Sequence, residues 1–578
     1  MISPDGRVVI AFNGEIYNHR ELRRELEQLG HVFRSQSDTE TVLEAFVEWD
    51  TDCFSRLRGM FAVALWTEPD RRLVLARDRM GIKPLYLSRR GADLYFGSEL
   101  KALFVHPEIE RNLSLEGLDS YLSLNYVAGV STLVEGIEKL PQGHWLEWRD
   151  GRVRTECYWR LPFSGQQRWT TRDAQEQLDS LLKQSVKEHL LSDVPLGVWL
   201  SGGVDSSTLL HYAAEASSSR LKTFSISFRG RSFDETPFIR RVAAKYGTEH
   251  HELDMHPDQD LAGAIEKFAY YSDEPNADAG ALPVWFLSRM TRENATVALS
   301  GEGADELFGG YLTQRASLLA RGFRRLPKAA LSLFGKLASR WPVSDDKISF
   351  EYKLKRFLAG CRMPAARAHV FWGGTFTDRE KQRLVRTPLP GTFAGVLKGL
   401  ADAGDDLPAY LWFDQKYYLP DDILTKVDRI SMAHSLEVRP PYLDHRLVEF
   451  ANSLPPSLKI DGSRQKVILK ELAKGKLPNE ILTRKKVGFD IPAHDWFRGT
   501  LRPLLNEAVE FARAEHSAFF DMAEIDALVE AHLERRANVG YHLWGLTILF
   551  FWMKQWRIQT GALVESEPRK MESITNSI

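Results

Sequence analysis

Apolar positions follow two rhythms along the chain. In the first hundred residues, short apolar runs alternate with turns. Val8-Val9-Ile10-Ala11-Phe12 predicts a buried strand, which Asn13-Gly14 is expected to turn. Leu22, Leu26 and Leu29 recur at helical spacing, so residues 19–29 predict an amphipathic helix stopped by Gly30, and residues 41–49 repeat the pattern. Strands are predicted at 61–66, 73–77, 85–88 and 94–97. Mixed strands and helices at hairpin-like spacing predict an α+β layered domain.

The second rhythm begins with a predicted helix over residues 173–190. Val198-Trp199-Leu200, opened by Pro195-Leu196-Gly197, stops abruptly at Ser201-Gly202-Gly203, and residues 206–214 rise as a helix. A strand at 223–228, a helix at 237–246 and a strand at 296–299 continue a βαβ alternation, which predicts a doubly wound, largely parallel sheet. The chain as a whole therefore reads as α/β. Its predicted divisions are a first domain at 1–159, a Gly/Pro-containing linker at 160–172, a second domain at 173–560 ending in helices, and a disordered polar tail at 561–578. Residues 544–556 read as a core helix. The apolar run within it, near 546–553, is shorter than the roughly 20 residues a membrane span needs.

Composition narrows the picture. The 43% hydrophobic and 27% charged residues suit a globular protein, and a net charge of −2 gives no electrostatic reason to expect nucleic acid or an anionic membrane as partner. Three cysteines, odd in number and far apart, argue against a disulfide framework and fit a cytoplasmic location. No C-x-x-C pair suggests zinc.

Two acidic, glycine-rich turns carry the chemistry. Ser201-Gly202-Gly203-Val204-Asp205-Ser206 and Ser300-Gly301-Glu302-Gly303-Ala304-Asp305-Glu306 each follow a predicted strand. Side-chain-free residues let backbone N–H groups close on an anion, and a helix N-terminus adds positive charge. The common phosphate loop G-x-x-x-x-G-K-S/T is absent from the sequence. Singly, Asp205 reads as a helix cap and Asp305 as a turn residue. Paired at one sheet edge, beyond the carboxyl ends of strands, they make a candidate active site.

The first turn resembles the S-G-G-x-D-S signature of ATP pyrophosphatases. The second, continued by Leu307-Phe308-Gly309-Gly310-Tyr311, resembles that of the asparagine synthetase family, as do residues 418–429, 431–439, 443–444, 464–466 and 484–489. The resemblance implies ATP and Mg2+, activation of an L-aspartate carboxylate as an adenylate, and attack by ammonia. It places Mg2+ on Asp205 and Asp305, ATP on Ser201, Gly202, Gly203, Asp205, Ser206, Ile226, Ser300 and Gly301, and pyrophosphate on Lys466. Glu302 would orient the attacking nitrogen or take its proton. Arg439, Asp428 and Asp444 read as a buried charge network, and His434 as a packed histidine.

Residues 13–18, 37–40 and 77–86 resemble the class II glutamine amidotransferase domain, of the Ntn-hydrolase layered type. This implies that Asn13, Gly14, Glu15 and Asp38 bind glutamine. The family's nucleophile, an N-terminal cysteine, has no counterpart: the sequence opens Met1-Ile2-Ser3, only twelve residues precede Asn13, and Cys53 reads as a core hydrophobe. The first domain is therefore expected to be incomplete, its glutaminase inactive and its exposed apolar surface detrimental to solubility. A misassigned start and a true loss of glutaminase, with ammonia as nitrogen source, both fit.

The nearest rival is a related amidotransferase that adenylates another carboxylate, a uronic acid or a peptide. Asp273-Glu274-Pro275 and Asp278 are expected to contribute to that choice. A homodimer stays open.

Overall fold

The computed structural model describes residues 1–163, 168–228, 234–255, 260–341, 350–391, 393–484 and 491–561. Part of the predicted linker (164–167), most of the basic 484–489 motif and nearly all of the tail lie outside them.

The first region holds eight strands: β1 (Val8–Ile16), β2 (Gly59–Thr67), β3 (Arg72–Arg77), β4 (Tyr86–Arg90), β5 (Asp93–Gly97), β6 (Glu138–Lys139), β7 (His144–Arg149) and β8 (Arg152–Cys157). They form an antiparallel five-stranded sheet, ordered β1-β2-β3-β7-β8, and a three-stranded sheet, β5-β4-β6. Helices His19–Gln28 and Asp38–Trp49 cover one face of the larger sheet through Leu22, Leu26, Val42 and Phe46 against Val8, Ile10 and Val63. Leu75 and Leu146 pack instead with Leu87 of the smaller sheet and with Leu85 just before its strand β4, so three layers stack.

One expectation fails here. Asn13-Gly14 does not turn the chain: β1 runs on to Ile16, with Asn13 opposite Ala62 and Gly14 opposite Phe61. A Cβ on Gly14 would lie 2.1 Å from the Met60 carbonyl oxygen, so the missing side chain serves close strand pairing rather than a turn.

The second sheet is wholly parallel, with strands β9 (Leu196–Trp199), β10 (Lys222–Ser227), β11 (Glu249–Asp254), β12 (Val297–Leu299) and β13 (Glu437–Arg439) in the order β11-β10-β9-β12-β13. Both faces are buried. Val198, Leu200 and Leu299 enter one core cluster and Trp199, Phe224 and Ala298 the other, as the two-residue period of strands requires. The chain winds outward from β9 through β10 to β11, then returns to β12 on the other side. The order thus reverses between β9 and β12, the place where doubly wound sheets bind ligands.

Helices make up most of the remainder. Gly540–Trp556 is apolar all round and includes the fully buried Trp544 and Trp552. Its core also takes in Leu113, Leu118 and Tyr121 from the first third of the chain. Tyr121 donates to the Gly545 carbonyl at 2.7 Å, and Arg111 and Leu113 pair with Gln559 through the backbone. Among the described residues no helix is long and apolar enough to cross a membrane.

Candidate active site

The Ser201 turn leaves β9 and the Ser300 turn leaves β12, so adjacent strands deliver both to the switch point. Helix Val204–Ala216 starts immediately after Gly203, which supplies no side-chain cap, so its first turn presents N–H groups and a positive dipole end. Ser206 Oγ accepts from Ser201 N at 3.1 Å and lies 3.1 Å from Ser201 Oγ, closing the turn on itself. A Cβ on Gly301 would stand 3.3 Å from Ser206 N and 3.4 Å from Asp205 Cβ; the two turns are in van der Waals contact.

Asp205 and Asp305 converge on Lys466. Its Nζ lies 2.5 Å from Asp205 Oδ2 and 2.6 Å from Asp305 Oδ1, with only 4% of the lysine exposed. Burial alone would lower the Lys466 pKa, but the two carboxylates outweigh it and hold the pKa well above the ordinary lysine range. Gly310 makes room, since a Cβ there would fall 1.7 Å from Asp305 Oδ1 and 2.2 Å from Lys466 Cε. Lys466 itself follows the short hairpin Ile460–Asp461 and Arg464–Gln465 and adopts a left-handed φ of 54°.

Ser300 Oγ lies 3.4 Å from Glu302 Oε1, and Ser300 N donates to the Arg439 carbonyl at 3.0 Å. Lys426 acts electrostatically on the same glutamate while pairing with Asp278. Burial would lower its pKa too, yet Asp278, Asp422 and Glu302 hold it well above its usual range. Lys426 was not singled out in the sequence. Its signal was a lysine set among Asp421, Asp422 and Asp428 on one helical segment. Ile226 lies on β10 beyond its last pairing with β9 (Phe224 with Trp199), level with Ser201, and its side chain packs into the core.

Asp273 and Glu274 work as scaffold. Asp273 lies 2.7 Å from Arg429 Nε, and Glu274 accepts from Leu133 N at 2.7 Å. Burial pushes the Glu274 carboxyl up to about 7. Of the stretch expected to face substrate, Asp278 is the member that pairs with Lys426. Asp428 pairs with Lys83 at 2.7 Å, Asp444 with Arg446 at 2.5 Å, and Arg439 with Glu437 at 2.6 Å, which forms the buried network. His434 packs edge-on to Trp285, and burial pushes its imidazole down to about 4.

At the other candidate site, Asp38 Oδ2 accepts from Ile16 N at 2.9 Å, tying the helix start to the end of β1. Ser37 caps that helix, its side chain accepting from Thr39 N. Asn13 is exposed, with its Nδ2 3.4 Å from Ser98 Oγ. Glu15 pairs with Arg439 at 3.0 Å. Burial, opposed by Arg439 and aided by Asp38, pushes its carboxyl up to about 7. Arg439 therefore holds Glu15 with its side chain and Ser300 with its carbonyl, joining the two sites.

Comparison with known proteins agrees with this architecture. The asparagine synthase family profile matches residues 177–557, and the glutamine amidotransferase domain profile matches residues 1–159. The glutamine-hydrolyzing asparagine synthetase 1 of Bacillus subtilis (strain 168) is 33% identical over 548 residues, 94% of this chain and 85% of that protein. A putative glutamine-hydrolyzing asparagine synthetase of Mycobacterium tuberculosis (strain ATCC 25618 / H37Rv) is 32% identical over 570 residues, 95% of this chain and 84% of that protein. Amidase chyE of Penicillium rubens is 27% identical, over 93% of this chain and 84% of that protein. With these matches spanning a parallel sheet that carries both acidic turns, the chain belongs to the asparagine synthetase family, with a glutamine amidotransferase domain ahead of the synthase domain.

Proposed function

We propose that the protein converts L-aspartate to asparagine with ATP, through a β-aspartyl-adenylate and release of pyrophosphate. The observation that carries this reading is the convergence of Asp205, Asp305 and Lys466 at the β9–β12 switch point, with Glu302 and Lys426 beside them. Backbone N–H groups of residues 201–206 and the N-terminus of helix Val204–Ala216 bind phosphate oxygens. Ser300 and Gly301 border the nucleotide from the second turn, and Ile226 from β10. Lys466 neutralises charge on the departing pyrophosphate, and Lys426 holds the substrate carboxylate. Glu302 takes the proton that ammonia must lose on attacking the activated carbonyl.

Two carboxylates with phosphate oxygens form the donor set that suits Mg2+, and Asp205 and Asp305 would hold it. Its chemistry there is neutralisation of phosphate charge.

In the first domain, Asn13, Gly14, Glu15 and Asp38 form the glutamine pocket. Cys53 is fully buried between helix and sheet, Cys361 is buried among helices, and Cys157 lies 3.1 Å from the Trp159 carbonyl. Burial pushes the Cys53 thiol well above its ordinary range, so Cys53 is not a glutaminase nucleophile, and free ammonia is the nitrogen donor in this reading. Free cysteines suit work in the cytoplasm.

The test is ATP–pyrophosphate exchange. L-aspartate should stimulate it, and ammonium should convert the product to asparagine. Stimulation by uronic acids or peptides in place of aspartate would favour the rival acceptor. Glu302→Gln should keep exchange while slowing amide formation by about 100-fold or more. A wild-type rate of amide formation would remove the role given to Glu302.

A further inference from the structure

A cavity of about 140 Å3 lies behind Tyr311, between helices Leu312–Phe323 and Ala365–Gly373 and the π-helix Asp414–Leu424. π-Helical segments are rare and gather at functional sites. Four aromatic rings line the cavity: Tyr126, Tyr311, Phe413 and Tyr418. Three are contiguous, with Tyr418 centred 6.0 Å from Tyr126 and 5.5 Å from Tyr311.

The carboxylate of Asp414 stands among these rings, 5% exposed. Gln314 Nε2 donates to Oδ2 at 2.8 Å, and His369 Nε2 lies 3.1 Å from Oδ1. An ionised carboxylate has about four acceptor directions, so these two neighbours leave capacity for a donor in the cavity. The walls also sit in a negative field. After burial, Asp421 and Asp414 push the Tyr126 phenol up, and Asp278 does the same to Tyr418; Asp422 and Glu306, whose own carboxyls are pushed up to about 8, add to this only as pH rises through that range. The lysines that answer Asp421 and Asp278, Lys139 and Lys426, do not line the cavity.

Ring faces carry negative charge, so several rings around one carboxylate favour a cation with some apolar body. A cavity of about 150 Å3 admits benzene, which sets the size. We infer that this cavity is a binding site for a small organic ammonium ion, about one six-membered ring in size, held by the rings of Tyr126, Tyr311, Phe413 and Tyr418 and the carboxylate of Asp414. None of Asp205, Asp305 and Lys466 lines it, and the assignment does not depend on which carboxylate the enzyme amidates.

Benzylammonium, with benzyl alcohol as its neutral match, tests the assignment by calorimetric titration of the full chain. Benzylammonium should bind at one saturable site, about tenfold or more tighter than the alcohol, and Asp414→Asn should weaken it by a similar factor. Leu312 lines the cavity and is 53% exposed, so Leu312→Trp plugs the entrance without disturbing the core and should abolish binding while thermal unfolding stays unchanged. Equal affinity for the alcohol, unaltered binding in Leu312→Trp, or absence of saturable binding would each overturn the proposal.

Discussion

Glu302, Asp305 and Glu306 put three carboxylates within five positions, and the fold treats Glu306 unlike the catalytic candidates. Glu306 is 1% exposed, and its carboxyl is pushed up to about 8, first by burial and then by the charge of Asp305; the Tyr311 hydroxyl donates to it at 2.6 Å. Glu306 thus holds its proton to higher pH than an ordinary carboxyl, which lessens the negative charge gathered at the turn. The folded chain holds a proton that the unfolded chain releases between about 4.5 and 8. The stability this proton supplies is complete below that window and is lost as pH rises through it. Denaturant titrations from pH 6.5 to 8 should show falling stability, and Glu306→Gln should flatten the slope by up to about 1.4 kcal/mol per pH unit. Asp422 is likewise pushed up to about 8, so a residual slope of the same sign should persist. His434 and His445, driven down to about 4 by burial, act in the opposite sense below pH 6.5, and Lys459, driven down to about 7 by burial, does so above pH 7, where the two carboxyls together outweigh the single lysine.

At the scale of elements, the turns set the geometry of the site. Gly310→Ala would drive a methyl group into Asp305 and Lys466, and a misplacement of about 1 Å is worth roughly 100-fold in rate. The variant should keep its circular dichroism spectrum and lose pyrophosphate exchange by that order. Such turns were legible in the sequence because glycine and acidic residues follow apolar runs directly, and the apolar runs became β9 and β12. β11 was not legible. Glu249-His250-His251-Glu252-Leu253-Asp254 is polar except for Leu253 and becomes a strand only by pairing six residues with β10. β13 has three residues, too few for a period to show. Asn13-Gly14 misled because the pair is a turn signal unless a neighbouring strand lies against it. Lys426 needed the fold, since its partner Asp278 is 148 positions away.

Across the whole molecule, the two regions are joined by buried charge. Lys83 and Asp428, 345 positions apart, pair at 2.7 Å with little exposure of either. Removing one partner of such a pair leaves an uncompensated buried charge, so Lys83→Met should destabilise the protein by about 3–5 kcal/mol. Lys83→Met with Asp428→Leu should recover most of that loss in a chemical denaturation series. The Glu15–Arg439–Ser300 link gives β1 and the Ser300 turn a shared residue, one arginine acting through its side chain and its backbone.

The pairing of residues 111–113 with Gln559 also bears on how the protein is born. A ribosome adding roughly 5–20 residues per second takes on the order of a minute to travel between those positions. Through that interval Leu113, Leu118 and Tyr121 have emerged while the helix they lie against is still unmade, and the nascent chain offers a chaperone an apolar handhold until that helix is synthesised.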